Sequence, residues 1–138
     1  MFDHCLYFNT AALARRLDRE WARAYSPFGL TTPQGFMLRA VLARPGLLQS
    51  ELADDLEIAR PTVTRALDAL QEKGLVRREG RSGDGRQTAI VPTASALEMA
   101  EDLKQASAGV SRRLQGILGD DGFADAVTRV RSVRSALR

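Results

Sequence analysis

Residues 59–76 read ARPTVTRALDALQEKGLV, and this stretch decides how the rest of the chain is interpreted. Val63, Leu67 and Leu70 follow one another at i, i+4 and i+7, which predicts a helix with a single apolar stripe. Gly74 stands where a helix ends in a residue that tolerates a positive φ, and an extended run follows it. We therefore predict one short helix that its apolar side holds against the domain.

The opposite side of this helix is polar, and its polar residues crowd into the first two turns: Arg60, Thr62, Thr64, Arg65 and Asp68. Pro61 suits the first helical position, because an N–H there would have no partner within the helix. A recognition helix points its N-terminal end at base edges in the major groove of DNA, and these hydroxyl and guanidinium groups fit that task. The stretch alone leaves a second interpretation open, a surface helix with a solvated basic face.

The residues before this helix complete a helix-turn-helix. Residues 49–56 repeat the helical pattern with two leucines on one side, and residues 57–59 form a short turn between the two helices. Further upstream another helix begins, for which Thr32 is the predicted N-cap and Pro33 the first helical residue.

The residues after the central helix predict a β-hairpin, which we interpret as a wing. Residues 75–78 and 88–91 have the pattern of two strands. Between them lies EGRSGDGRQ, residues 79–87, whose glycines and charges predict a hairpin loop. Residues 47–48 are a candidate for a very short strand, and Thr93 is the predicted cap of the next helix.

Both ends of the chain predict long helices. The first covers about residues 3–25 with Asp3 as a candidate cap, and the second covers residues 94–118. A last helix begins at Asp120 or Asp121 and carries apolar residues every three to four positions as far as Leu137. Their apolar faces are wider than contacts among themselves require.

The predicted fold class is mainly α with a small β-wing (α+β): a winged helix-turn-helix with long N- and C-terminal dimerisation helices. Residues 1–138 form a single domain, in which residues 30–92 are the winged helix-turn-helix and residues 1–28 and 93–138 the dimerisation part. Two-fold dimers match palindromic DNA, whose half-sites recur about one helical turn apart. The alternative is a monomer whose three outer helices form a cap.

The distribution of charge favours an anionic partner more than the net charge of +3 does. Residues 58–88 contain seven basic side chains against four acidic ones, whereas residues 49–57 contain four acids and no base. A localised basic surface beside an acidic one indicates an oriented anionic partner.

Several classes of protein are excluded at this level. One cysteine and one histidine cannot form a disulfide framework or a zinc-finger ligand set. No apolar run approaches about 18 residues, and the N-terminus lacks the pattern of a signal peptide, which together predict a cytoplasmic protein that does not enter a membrane. The chain shows no catalytic constellation, no glycine-rich phosphate loop and no metal cluster, so we expect neither enzyme activity nor a cofactor.

The chain resembles the MarR family of bacterial transcriptional regulators. The resemblance rests on LTTPQGFMLRAVLARPG at residues 30–46, QSELADDLEIARPTVTRALDALQEKGLV at residues 49–76 and the Asp-x-Arg motif of the wing. It covers essentially the whole chain, and the N-terminal HCLYFNTAALAR is similar to a subset of the family. The resemblance implies an obligate homodimer that places its recognition helices in consecutive major grooves of a palindromic operator and its wings over the flanking minor grooves. It also implies that small aromatic acids, phenols or oxidants change the affinity for DNA.

By position, Thr62, Thr64 and Arg65 match the residues of the family that contact bases and phosphates. Arg86 matches the arginine at the tip of the wing, and Asp84 matches the acid that braces it. Three positions depart from the family pattern: Gly85 replaces a second basic residue, Ser95-Ala96 replaces a Lys-Gly pair, and Leu48 stands where a serine or threonine cap is usual.

The chemistry of these side chains supports a role at DNA. Arg65 and Arg60 are candidates for reading guanine, because a guanidinium can bond O6 and N7 together, although either can instead hold phosphates. Arg86, with Arg81 nearby, can enter a narrow minor groove, where the negative potential is focused. The alternative for these two arginines is a solvated flexible loop.

Cys5 beside His4 is a candidate redox site. A neighbouring imidazolium lowers the pKa of a thiol, and some proteins similar to this family sense peroxides through a cysteine of the first helix. Against this, neighbouring residues on a helix point about 100° apart, and a cysteine is often a small buried hydrophobic residue.

The sequence therefore predicts a dimeric, sequence-specific DNA-binding transcriptional regulator, a repressor that responds to a small-molecule or oxidant effector. Two other classes stay open: a winged-helix module that binds another protein, and an architectural protein that binds DNA without regard to sequence.

Overall fold

The computed structural model describes residues 1–81 and 84–137, and the side chains of all of these except residues 81 and 84–86. The elements in chain order are α1 (Leu6–Tyr25), a 3-10 turn (Ser26–Phe28), α2 (Thr32–Ala43), α3 (Gln49–Leu56), α4 (Arg60–Glu72), β1 (Val76–Arg81), β2 (Asp84–Pro92), α5 (Ala94–Leu118) and α6 (Asp120–Ala136). The predicted fold class is confirmed: a mainly helical chain with a two-stranded antiparallel wing. None of the described helices combines the length and the apolarity that crossing a membrane requires.

The core lies where α2 packs on α4. Fully buried apolar side chains from these two helices meet there, namely Met37, Leu38, Val41, Val63, Leu67 and Leu70. The apolar stripe predicted for α4 is therefore the side that faces the core. Full burial of one such side chain contributes about 1.5–3 kcal/mol, so this stripe is what holds α4 in place.

The end of α1 packs so closely on α2 that only a glycine fits at the point of contact. A Cβ atom on Gly35 would lie 2.3 Å from Cδ2 of the fully buried Tyr25 ring. Only a residue without a side chain fits here, so the tyrosine ring closes directly over the α2 backbone.

Two helix starts differ from the prediction. The N-cap of α2 is Thr31 and not Thr32: its hydroxyl accepts the Gln34 N–H (3.3 Å), and the Gln34 side chain accepts the Thr31 N–H (3.1 Å). This reciprocal box satisfies two backbone donors at once, which explains the choice between the two threonines. The first helix begins at Leu6 with Cys5 as its N-cap, so Asp3 does not cap it.

The strands of the wing are longer than predicted. The pairing runs from Val76 opposite Pro92 to Gly80 opposite Thr88, and Arg81 pairs with Asp84. The expectation of a loop throughout residues 79–87 was therefore wrong for the described part of it. The hydrogen bonds between paired strands are made by backbone groups. Glycines and charged residues can therefore extend the pairing when the partner strand continues.

The base of the wing is attached to the segment before α3. Leu48 forms an isolated bridge with Ala89, which confirms the very short strand predicted at residues 47–48. The Gly46 N–H donates to Ile90 O (2.7 Å), and the Ile90 N–H donates to Leu47 O (2.9 Å). These bonds hold the wing beside the helix-turn-helix.

The terminal helices pack on one another and leave much apolar surface uncovered. At the centre of α5, Leu103 and Ser107 are buried, and Thr93 caps its start as predicted. Leu97 and Ile117 are exposed, because Leu97 points off the line of the buried residues and Ile117 lies beyond the core. No described residue of α6 is buried.

Candidate nucleic-acid interface

The front of α4 carries the candidate DNA-binding residues. Arg60, Thr64, Arg65 and Asp68 are exposed, whereas Thr62 is half-buried. Because the opposite side of α4 is buried in the core, the helix presents these groups in one direction. Of the four residues of this helix predicted to contact DNA, Arg60, Thr64 and Arg65 lie on one exposed surface, whereas Thr62 is only partly exposed.

Arg60 and Arg65 are the free cations of this surface. Neither guanidinium forms a hydrogen bond or an ion pair with any residue in the described part of the chain. A guanidinium with no protein partner keeps all five donors for a ligand, and its planar fork matches two acceptors on guanine or the oxygens of a phosphate.

Thr64 lies at the front of α4 as its pattern suggested, but its hydroxyl is bonded within the protein. Its hydroxyl donates to Arg60 O (3.1 Å) and accepts from Gln49 Nε2 (2.9 Å). The side chain therefore ties the first turn of α3 to the first turns of α4. Its methyl group and one remaining lone pair of its oxygen are what it can offer to DNA. Thr62 is not the N-cap of α4, because Ala59 occupies that position.

The starts of α3 and α4 both lack a side-chain cap. Leu48 and Ala59 occupy the two N-cap positions, and neither side chain can accept a hydrogen bond. The Glu51 carboxylate does accept the Leu48 N–H (2.8 Å), which satisfies one donor outside α3. Uncapped amides at the start of α3 are suited to phosphate oxygens, because the helix dipole also favours an anion there. In α4, Pro61 has no N–H and the Thr62 N–H donates to Ala59 O (3.0 Å).

A cleft of about 260 Å³ opens between these two helix starts and the second strand of the wing. The side chains that line it are Leu48, Gln49, Ser50, Arg60, Gln87 and Thr88, together with parts of the core. Most of these are polar, so the surface in front of α3 and α4 offers hydrogen-bonding groups as well as charge.

Arg78 belongs to this surface, and the sequence reasoning missed it. Its guanidinium pairs with Asp68 (2.8 Å) and donates to Gln71 Oε1 (3.0 Å), both on α4. A signal for it exists in the sequence: Arg78 lies two residues after the buried Val76, so alternation along a strand puts both on the side that faces the helices.

The predicted residues of the wing lie on its strands. Arg81 ends β1, and Asp84 and Arg86 stand at the start of β2. The side chains of these three residues are outside the described part of the structure. Their roles at DNA, including the bracing of Arg86 by Asp84, stay predictions.

Cys5 lies at the start of α1, where its sulfur accepts the Phe8 N–H (3.5 Å). It is exposed, as is His4, so the interpretation of Cys5 as a small buried hydrophobic residue was wrong for this chain. Of the two tyrosines of the chain, Tyr7 is exposed and Tyr25 is buried in the core. The redox role of Cys5 stays a prediction.

Comparison with known proteins points to one family. Residues 28–87 match the model of the MarR family. An HTH-type transcriptional repressor of Mycobacterium tuberculosis is 32% identical over 85 residues, which cover 62% of this chain and 61% of that protein. The chain thus spans about three-fifths of that relative, and 54% of a relative from Thauera aromatica.

Solved structures share the fold over almost the full chain. The transcriptional repressor CouR, bound to a 23-mer DNA duplex, is 25% identical with a TM-score of 0.88 and covers 96% of this chain and 94% of its own. The MepR–DNA complex of S. aureus is 21% identical with a TM-score of 0.87 and covers 98% of this chain and 100% of its own.

Proposed function

We propose that this chain is a member of the MarR family and acts as a homodimeric transcriptional regulator, a repressor that binds a palindromic sequence in double-stranded DNA. The observation that carries the proposal is the front of α4, where Arg60 and Arg65 are exposed and unpaired beside two uncapped helix starts. In this proposal α4 enters the major groove and reads bases through Arg65 and Arg60. Thr62 and Thr64 contribute phosphate or methyl contacts.

The wing completes the proposed DNA-binding part, residues 30–92. Arg86 and Arg81 would enter the flanking minor groove, with Asp84 as the brace of Arg86, as the match to the family motif implies. Minor grooves that are narrow concentrate negative potential, so this contact would favour A/T-rich flanks. Because its partner is chromosomal DNA, the proposed protein acts in the bacterial cytoplasm.

The proposed dimerisation part, residues 1–28 and 93–138, is supported by the apolar surface that one chain leaves uncovered. Large exposed hydrophobic residues of α1, α5, α6 and the residues that flank them include Phe2, Leu6, Tyr7, Leu13, Ile117, Leu118, Val127, Val130, Val133 and Leu137. Exposed hydrophobic residues in this number favour an interaction site, and a second copy of the chain would cover them by two-fold symmetry.

The proposed effector site lies at Arg39, where α1, α2 and α5 meet. Arg39 Nη1 donates to Ser107 Oγ (2.8 Å) and to the Tyr25 hydroxyl (3.4 Å), and its guanidinium lies 5.7 Å from the centre of the Phe36 ring. Among the described residues no carboxylate pairs with this half-buried cation. The Trp21 indole N–H also donates to Ser107 Oγ (3.0 Å).

This cluster has more donors than acceptors. The Ser107 oxygen accepts two hydrogen bonds, which uses both of its lone pairs, and its own proton has no acceptor in the described part of the chain. A carboxylate would supply the missing acceptors and the missing negative charge, and the Phe36 ring, 37% exposed, would stack against an aromatic body. We therefore take the effector to be a small aromatic carboxylate. An oxidant that acts on Cys5 is the second candidate.

The DNA-binding proposal is tested by selecting a preferred duplex from a random pool and measuring its affinity against a scrambled duplex of the same composition. We expect the wild-type protein to prefer the selected duplex by about 10³-fold or more. Arg65→Ala should reduce that preference by about tenfold or more, because one bidentate base contact contributes about 1–3 kcal/mol of discrimination. Arg19→Ala, an exposed and unpaired arginine of α1, is the charge-matched control.

The same measurement separates the competing functions. Steep salt dependence shared by the selected and scrambled duplexes would identify an architectural DNA-binding protein. No binding to either duplex at low salt would instead support a module that binds another protein.

A further inference from the structure

We propose that Arg78 is a positioning residue that sets the orientation of α4 relative to the wing and thereby determines sequence discrimination. This inference rests on the DNA-binding function proposed above. The residue lies on β1, outside the recognition helix, and its side chain is 22% exposed.

The guanidinium of Arg78 lies along one stripe of α4. Nη1 contacts Asp68 Oδ1 at 2.8 Å and Gln71 Oε1 at 3.0 Å, and Nη2 donates to the Thr64 carbonyl at 3.4 Å. These three acceptors stand at i, i+4 and i+7, so they share one side of the helix over two turns. The fork therefore bridges the wing strand to more than half the length of the recognition helix.

These bonds supply a restraint that the core does not. The apolar stripe of α4 gains its stability from area removed from water, a force that has little dependence on direction. A helix held by such contacts alone can rotate or slide slightly at small cost. A guanidinium bonded to three acceptors along one side of a helix has a narrow range of geometries, so it defines the rotation of α4 about its axis.

The same bonds make Arg78 unsuited to bind phosphate directly. Its charge is compensated by Asp68, and its donors are directed at α4, whereas Arg65, one residue after Thr64 on that helix, has no described partner. Gln49 holds Thr64 from the α3 side (2.9 Å), so the first turns of α4 are restrained from both sides. Arg65 and Arg60 then project from a helix whose position relative to the wing is defined.

The experiment compares Arg78→Ala with Arg77→Ala, its neighbour on the same strand. Arg77 is 66% exposed and contacts only Glu79 (3.7 Å) among the described residues, so the control removes the same charge without the bridge. Affinities for the selected duplex and its scrambled counterpart are measured over a range of salt concentrations, at a temperature where circular dichroism shows every variant folded. We expect Arg78→Ala to lower the ratio of the two affinities about tenfold or more, with an unchanged salt slope and little effect of Arg77→Ala.

Two further variants keep the test decisive if Arg78→Ala does not fold. Asp68→Asn removes the charged partner from an exposed position and should lower the same ratio. Arg78→Lys keeps the charge but cannot form the forked hydrogen bonds of a guanidinium. This variant should therefore retain only part of the wild-type ratio of affinities.

Two results would overturn the proposal. An unchanged ratio in Arg78→Ala would show that the bridge does not affect discrimination. Equal losses on both duplexes, with a salt slope smaller by about 0.9, would show that Arg78 contacts a phosphate instead. If the wild-type protein prefers no duplex, the proposed function itself fails, and this outcome is distinct from the other two because it requires no variant.

Discussion

Thr64 and Arg65 show what a single residue position can and cannot reveal. Both were predicted at the front of α4 from the helical period, and both are exposed there. The period does not tell which of them is engaged by the protein itself. The Thr64 hydroxyl is bonded to Gln49 and to the Arg60 carbonyl, whereas Arg65 is free among the described residues. That difference depends on how α3 packs beside α4, which a helical repeat does not contain.

The two arginines missed by the sequence reasoning have the same explanation. Arg78 acts across 14 residues of sequence to reach Thr64, and Arg39 acts across 68 residues to reach Ser107. Neither stands in a motif, because the partners meet only when separate elements pack. Such residues are identified in the folded structure from the groups to which the N–H donors of a half-buried cation are bonded.

The effector proposal is tested at the residue scale with Trp21, the single tryptophan of the chain, as a fluorescent reporter. Benzoate should change the Trp21 emission in a saturable way, because the indole N–H shares Ser107 with Arg39. Arg39→Gln should weaken the apparent affinity for benzoate by about tenfold or more, as hydrogen bonds to a charged group contribute about 1.5–3 kcal/mol. Arg112→Gln, an exposed arginine of α5, is the control.

Benzamide provides the matched uncharged ligand in that experiment. It has nearly the shape of benzoate but no negative charge, so it should bind far more weakly to the wild-type protein. Equal responses to the two compounds, or an unchanged response of Arg39→Gln to benzoate, would exclude a carboxylate site at Arg39.

At the scale of elements, the helices could be predicted more fully than the wing. The spacing of apolar residues and the capping residues indicate a helix from local sequence alone. The predicted bounds of α3, α4 and α5 agree with the structure within a residue or two. The strands were predicted too short, because glycines and charged residues in a hairpin do not reveal whether backbone pairing continues. The pairing of Gly80 with Thr88 depends on the partner strand and not on the local composition.

The contact between α1 and α5 carries a pH dependence with a definite sign. The Arg113 guanidinium, through its hydrogen bond to Glu20, lowers the pKa of that carboxyl below its ordinary value of 4.5, and Arg23 adds to this effect. A carboxyl whose pKa is lower in the folded state stabilises the fold above its unfolded-state pKa. That contribution is lost as the pH falls through the folded-state pKa.

We therefore expect Glu20→Gln to lower the melting temperature at pH 7 and to lose this effect as the pH falls well below 4.5. Glu98→Gln, an exposed change of the same charge on α5, should have little effect at either pH. Thermal unfolding measured by circular dichroism between pH 3 and pH 7 gives the comparison. A difference between Glu20→Gln and the wild-type protein that stays constant over this range would show that the ion pair contributes nothing to stability.

At the scale of the whole molecule, the exposed apolar surface of α1, α5 and α6 predicts that assembly and folding are linked. A partner that binds only the folded chain stabilises it by mass action, so the melting temperature should rise with protein concentration. Val130→Glu places a charge on the exposed apolar side of α6 and should produce a monomer with a lower melting temperature. Ala94→Glu, at the exposed start of α5, is the control.

Sedimentation at micromolar concentration checks the same point directly. We expect the mass of two chains for the wild-type protein and for Ala94→Glu, and the mass of one chain for Val130→Glu. A wild-type monomer at that concentration, with a melting temperature independent of concentration, would support the alternative in which the outer helices form a cap on a monomer.

The attachment of the wing to residues 46–48 also has a consequence for the order of folding. The Ile90 amide is bonded to Leu47, so this attachment of the hairpin cannot form until a loop of more than 40 residues has been drawn together. That loop contains α3 and α4, and helices form locally within microseconds, well before slow long-range pairing. The helix-turn-helix would then assemble first and the wing join it last, and the Ile90 amide would exchange with solvent only when that late step is reversed.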